Sequence, residues 1–239
     1  MITAFYDGTA GAVTLTIFGR TNSLSPNQAS LETNTTGWAA VTNCAIARST
    51  AQASVGSASL EITASASGDA VASTTTATKF AVTANQEFSA IADFRAGTTT
   101  RSVAVGIRYL TSTGSTISTT YGTGVSATSS AFVTASATVL APPTATHAQV
   151  FTKITSAGSG EVFYVDKIAF HAGDTPVFTR GGFSNFIFDI ERSDDSGVTY
   201  SAIRNSPVTA DTTQIAEIND YEAPIDTTVT YRAKARADI

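Results

Sequence analysis

Apolar and polar residues alternate along much of this chain with a period of two. VTLTIF (13–18), SLEITAS (59–65), EFSAIADFR (87–95), SVAVGIRYL (102–110), HAQVFTKI (147–154) and EVFYVDKIAF (161–170) read as strands, and turn signals such as SGD, STGS and AGSG separate them. No apolar spacing of three and four persists long enough for a helix, even through ITASASGDAVASTTTATKFAVT (62–83). There Val71, Phe80 and Val82 can anchor a strand; a disordered Ser/Thr linker is the plainer alternative for residues 63–79. The chain is expected to be all-β, and regular short strands with Gly and Ser turns argue a sandwich or jelly roll.

One strand breaks its own pattern. In FYVDKIAF, alternate residues share a face, so Tyr164, Asp166, Ile168 and Phe170 are expected to point together toward a core. An unpaired carboxylate there costs about 3–5 kcal/mol, so Asp166 must meet a partner.

After Pro176 the strands lengthen and their outer faces become charged. Phe186, Phe188 and Ile190 alternate with Ile187, Asp189 and Glu191; Ser193–Gly197 reads as a turn, and Val198–Ile203 as the returning partner of a hairpin. Charge shifts at the same place: residues 1–175 hold 9 acidic and 8 basic side chains, the last 64 hold 10 and 6. A boundary is therefore placed near Gly173–Pro176, giving an N-terminal β segment (1–20), a large β unit (21–173) and a smaller one (174–239).

Composition removes several functions. The 239 residues carry a formal net charge of −5 with no basic stripe, which argues against a nucleic-acid partner. Cys44 is the lone cysteine, and His147 and His171 are far apart, so neither a disulfide nor a zinc site is expected. The N-terminus lacks a basic segment before its apolar residues and carries Asp7, and no apolar run reaches spanning length; no signal peptide and no membrane insertion are expected. Catalysis finds little support, because Glu87 and Asp93, the one carboxylate pair worth testing for glycoside hydrolysis, lie six residues apart on one strand. That separation is roughly 20 Å, against the ~5–9.5 Å that the reaction needs.

Six segments carry a resemblance: LETNTTGWAAV (31–41), ARSTAQASVGSASLEIT (47–63), EFSAIADFRA (87–96), GIRYLTSTGSTIST (106–119), APPTATHAQVFTKI (141–154) and AGSGEVFYVDKIAF (157–170). In this order they are similar to the jelly-roll modules of family 4 and 9 carbohydrate-binding type, over residues 21–172. The later IERSDDSGVTYSAIRNSPV and DYEAPIDTTVTYRAKA resemble the Ig/fibronectin type III-like units of minor tail proteins from phages that infect actinobacteria. Two features depart from the pattern: Ala29-Ser30-Leu31-Glu32 replaces the usual opening run, and the module has one tryptophan.

The resemblance implies a non-enzymatic virion component of the phage tail, made without a signal peptide. Other tail proteins, further copies of the chain and host cell-wall glycan would be its partners. A carbohydrate-binding module of a secreted hydrolase or adhesin is the alternative. It also implies a structural calcium held by Glu32, Asp166 and carbonyls around Ser57–Ser59; hydrogen bonds from backbone N–H groups of the LETNTTGW turn are the metal-free alternative. Trp38 matches a structural tryptophan of the core. Arg108, Tyr109 and Tyr121 are the candidates for glycan contact, combining stacking surface with donors. The small unit supplies about five strands where a complete sandwich takes about seven in ~100 residues, so strand addition by Val13–Phe18 or by a neighbour is expected.

Overall fold

The computed structural model describes residues 2–7, 11–18, 22–173, 178, 187–209, 215–224 and 227–236. The expected strand at 177–180, Phe178 apart, and Phe186 lie outside them. β1 (Ile2–Asp7) and β2 (Ala12–Phe18) come first. Then follow helix α1 (Pro26–Ser30), β3 (Trp38–Thr42), β4 (Cys44–Ser49), β5 (Ser59–Ala64), β6 (Gly68–Thr74), β7 (Phe80–Ala81), β8 (Glu87–Ala96), β9 (Arg101–Leu110), β10 (Thr116–Tyr121), β11 (Val125–Ala127), β12 (Val133–Leu140), β13 (His147–Ala157) and β14 (Val162–Ala172). β15 (Ile187–Ser193), β16 (Ser201–Ala202), β17 (Val208–Thr209), β18 (Ile215–Asp220) and β19 (Thr230–Arg236) complete the order. They form two units: Asn22–Gly182, and a discontinuous one joining Met1–Thr21 to Phe183–Ile239.

The Asn22–Gly182 unit is a jelly-roll sandwich. One sheet runs β10-β9-β13-β6-β3, with β11 on β9 and β7 on β13; the other runs β12-β8-β14-β5-β4. Alternation decides which side chains fill the space between them. Val103, Val105, Ile107 and Tyr109 of β9 and Val150 of β13 meet Leu60, Ile62, Phe94, Phe163 and Phe170 of the opposite sheet. Trp38 is buried in this core, with Nε1 donating to the Gln28 carbonyl at 3.0 Å. The Ser/Thr-rich stretch 63–79 is ordered, and β6 within it is bonded to β3 on one side and β13 on the other.

β14 does not keep its period. Its pairing with β8 slips between Asp166 and Ala169, and Lys167 between them has φ 52°. This bulge resets the alternation: Phe163 and Val165 face the core before it, Ile168 and Phe170 after it. Asp166 therefore does not share a face with Ile168 and Phe170, contrary to the simple strand reading. It lies on the outer side of the five-stranded sheet and is still fully buried, because backbone from Ser54 and Val55 closes over it.

The discontinuous unit has a three-stranded sheet, β1-β2-β18, and a four-stranded one in which β16, β17 and β19 pair with β15. Its core joins Leu15 and Ile17 of β2 to Phe188, Ile190, Ile203, Ala216 and Ile218. The N-terminal hairpin thus supplies two of the three strands of one sheet. β2 pairs with β18, not with the 230–236 strand, whose described pairing is to β15 alone.

This architecture separates two spectroscopic signals. Deleting residues 1–19 removes β1, β2 and the side chains of Leu15 and Ile17, and is expected to abolish the far-ultraviolet signal of the discontinuous unit. The unfolding transition of Trp38, the single tryptophan, should move by less than 1 °C. A truncated protein with full β-sheet signal would show that the hairpin is dispensable.

Candidate ligand-binding face

The outer face of the seven-stranded sheet is built by the residues that alternate with its core set. On β9 these are Ala104, Gly106 and Arg108, on β13 Gln149, Phe151 and Lys153, and on β10 Thr119 and Tyr121. Register places Tyr121, Gly106, Phe151 and Ser73 in one row across four strands. Gly106 is the reason the row can be flat: a Cβ there would come within 2.6 Å of Tyr121 Cδ1 and 2.9 Å of the Thr120 carbonyl oxygen. Without it the Tyr121 ring lies across β9.

Two cations sit on this aromatic floor. The Arg108 guanidinium carbon lies 3.9 Å above the Phe151 ring centroid, while Nε donates to Thr119 Oγ1 at 2.9 Å. Phe151 is only 1% exposed. Lys153 Nζ stands 5.2 Å from the Tyr121 ring centroid and 3.2 Å from Asp69 Oδ2. Asp69 also accepts from the Ser156 amide, and that bond leads in holding its carboxyl below the usual range. Burial pushes the Tyr121 hydroxyl up, so it remains a neutral donor across the physiological range. Gln149 is spent inside the sheet, donating to the Thr74 carbonyl.

Of the three residues expected to touch glycan, Arg108 and Tyr121 share this face. Tyr109 does not. Neighbouring residues on a strand point to opposite sides, so Tyr109 goes into the core with Ile107. It is fully buried, and its hydroxyl donates to the Val139 carbonyl at 2.7 Å. Phe151, Lys153, Asp69 and Gly106 were missed by the sequence reading, although the alternation in HAQVFTKI already set Phe151 and Lys153 beside Arg108's strand.

The candidate metal ligands lie elsewhere, and each is served by donors. Asp166 Oδ2 accepts the amides of Ser54 and Val55 at 2.6 and 2.8 Å, and Oδ1 that of Lys167 at 2.6 Å. Glu32 accepts the Ser57 amide and hydroxyl and the Ala58 amide. Apart from the Lys167 amide, the donors come from 54–58, not from the 31–38 turn. Calcium takes about six to eight oxygens; here both Glu32 oxygens and Asp166 Oδ2 already carry donors, so the residues as arranged do not fit the ion. Among the described residues no three His, Cys, Asp or Glu side chains converge on a point that could hold a metal.

Burial pushes the Asp166 carboxyl up to about 6 against these amide bonds, and the charge of nearby Glu32 adds to the rise. Glu32 itself is held below its ordinary value: desolvation raises it, but the Ser57 and Ala58 bonds and Arg48 together outweigh that. Directly across the sheet from Asp166 stands Asp93, which accepts from Ser54 Oγ and Thr134 Oγ1, each at 2.5 Å. Glu87 and Asp93 both lie on β8, Glu87 exposed and Asp93 buried, with no partner geometry for hydrolysis.

No protein-family model and no curated sequence matches the chain. Among solved structures it is similar to the CBM22-1 xylan-binding domain of Paenibacillus barcinonensis Xyn10C, with TM-score 0.53 and 14% identity over 67% of this chain and 99% of that one. The CBM22-2 xylan-binding domain of the same protein gives TM-score 0.50 and 11% identity, covering 61% and 98%. Their tandem gives TM-score 0.52 and 11% identity over 93% and 92%. At these identities the likeness is one of fold. This chain has the fold of carbohydrate-binding jelly-roll modules, and the neighbours are of family 22 where the sequence resemblance pointed to families 4 and 9.

The raised pKa of Asp166 makes a signed prediction. Its folded value lies above the ~3.9 of an unfolded Asp, so the folded state binds more protons between the two values. The stabilisation that Asp166 contributes is then fully present below about pH 4 and is lost as pH rises through about 6, by up to ~3 kcal/mol. In denaturant unfolding with chelator, the stability of the wild type relative to Asp166→Asn should fall as pH rises from about 4 to about 6. Parallel slopes would remove Asp166 as the cause, and a slope abolished by millimolar calcium would show that the ion binds after all.

Proposed function

We propose that the Asn22–Gly182 unit is a non-catalytic carbohydrate-binding module whose ligand lies across β10, β9 and β13. The supporting observation is the row in which the edge of the Tyr121 ring comes over Gly106 beside the Arg108–Phe151 stack. A pyranose ring presents apolar C–H groups to an aromatic face and hydroxyls at its rim, and here Tyr121 and Arg108 offer both kinds of contact. Likeness of fold to xylan-binding domains agrees with this reading.

Few stacking residues imply weak binding, at about millimolar, or roughly −4 kcal/mol. Xylohexaose titrated into the whole chain and followed by NMR should shift resonances of β9, β10 and β13. Tyr121→Ala is expected to weaken the affinity about tenfold, as the loss of one aromatic contact of ~0.5–1.5 kcal/mol would do. Binding of no oligosaccharide, or binding indifferent to Tyr121→Ala, would overturn the assignment.

A second role in assembly, as a phage tail component with an Ig/fibronectin-like second unit, has the sequence resemblance behind it. One structural observation favours it. Among the described residues β1 pairs only with β2, so one edge of that strand is open, and Phe5 and Tyr6 on it are 71% and 60% exposed. Such edges join other chains unless they are blunted. Sedimentation should show the wild type self-associating at tens of micromolar and Phe5→Lys/Tyr6→Lys as a monomer; a monomeric wild type would remove homo-oligomerisation by this strand.

A further inference from the structure

The ligand face carries an unbalanced charge. Four arginines are described in the jelly-roll unit, and three have strong acceptors. Arg101 is paired with Glu161 at 2.7 Å, Arg95 donates to the Ser129 carbonyl, and Arg48 donates to the carbonyls of Leu31 and Glu32. Arg108 has one neutral hydroxyl, Thr119 Oγ1, and it takes only Nε. Among the described residues no acceptor reaches the two terminal nitrogens. The other charges on the face do not supply one: Asp69 is engaged by Lys153 and by the Ser156 amide.

Those two nitrogens are held in place as well as open. The guanidinium plane rests on Phe151 at 3.9 Å and is tied at Nε, which leaves the Nη edge as a fork with fixed direction. A fork of this kind fits a carboxylate through two parallel hydrogen bonds. A neutral hydroxyl would satisfy one N–H and leave the charge uncompensated.

We propose that the module selects acidic glycans, those bearing uronic-acid carboxylates, with Arg108 as the specificity residue. The inference rests on the glycan-binding reading of this face. In it, a uronate ring lies against Tyr121 and its carboxylate takes the open edge of Arg108. Lys153, already shared with Asp69, adds long-range attraction but no dedicated contact.

The test compares hexagalacturonate with neutral xylohexaose on the whole chain by calorimetry or NMR. At 50 mM NaCl the acidic oligomer should bind at least about tenfold more tightly, since charge-assisted hydrogen bonds are the stronger class. The gap should narrow at 0.5 M NaCl. Arg108→Met keeps an apolar cover on Phe151 and removes the charge; its ratio of acidic to neutral affinity should fall to about one. Arg108→Lys should restore the salt dependence and only part of the ratio. An unchanged Trp38 unfolding transition establishes that each variant is folded. Equal affinity of the wild type for both oligomers overturns the uronate preference and leaves glycan binding standing, as does a preference that survives Arg108→Met. Failure of both oligomers to bind overturns the two readings together.

Discussion

A β-strand can show only every second residue to one side, and in the jelly roll this constraint sorts the chain into core and surface. Val105, Ile107 and Tyr109 go inward from β9, so Gly106 and Arg108 must go outward. The outer face, proposed to take the ligand, is the complement of the core, obtained from the same strands. Its content follows from which residues occupy the outward positions: a glycine that leaves room for the Tyr121 ring, a phenylalanine that a guanidinium can cover, and a lysine–aspartate pair one row away. Changing a core residue of β9 to repack the interior would therefore tilt the strand that carries Arg108.

The bulge in β14 shows what happens when the constraint is broken locally. Asp166 follows the regular alternation from Phe163 and Val165 to the outer side, opposite Asp93, where two like charges destabilise each other, and the extra residue at Lys167 lets Ile168 and Phe170 return to the core. Ser54 resolves the conflict with one residue: its amide goes to Asp166 and its hydroxyl to Asp93. Thr134 and the Lys167 amide complete the set, and Lys167 Nζ lies 3.7 Å from Asp93. The long connection from β4 to β5 is thereby tied to the sheet by polar bonds made under cover, where an unmade bond is costly.

Much of this was legible beforehand. The strands of the jelly roll follow from alternation and turn signals, the burial of Trp38 is implied by the family resemblance, and Arg108 stands out for its place beside a turn and its stacking surface and donors. What escaped the sequence did so for identifiable reasons. Tyr109 was grouped with Arg108 by adjacency, although strand period separates them. The bulge at Lys167 has no glycine to announce it, since a lysine occupies the left-handed backbone position. Two of the three donors to Asp166 come from residues 112 and 111 positions away, and no local pattern encodes a contact at that separation. Pairing of β2 with β18 is likewise non-local: both strands read as β, but which edge each would fill depends on the whole unit.

The stack of Arg108 on Phe151 joins these strands of reasoning. An arginine on an open sheet face ordinarily samples many rotamers, and ordering it on a ligand costs about 0.5–1.5 kcal/mol. Here the ring beneath and Thr119 beside it have already taken up that ordering, because Phe151 and Thr119 sit diagonal and opposite to Arg108 in the register. Phe151, 1% exposed, is covered in turn by the guanidinium, so each side chain helps to hold the other in place. The pair converts a mobile surface cation into a directed donor, and in the proposed glycan-binding reading that preorganisation, more than area or stacking, would let a shallow face with one half-buried tyrosine distinguish among ligands.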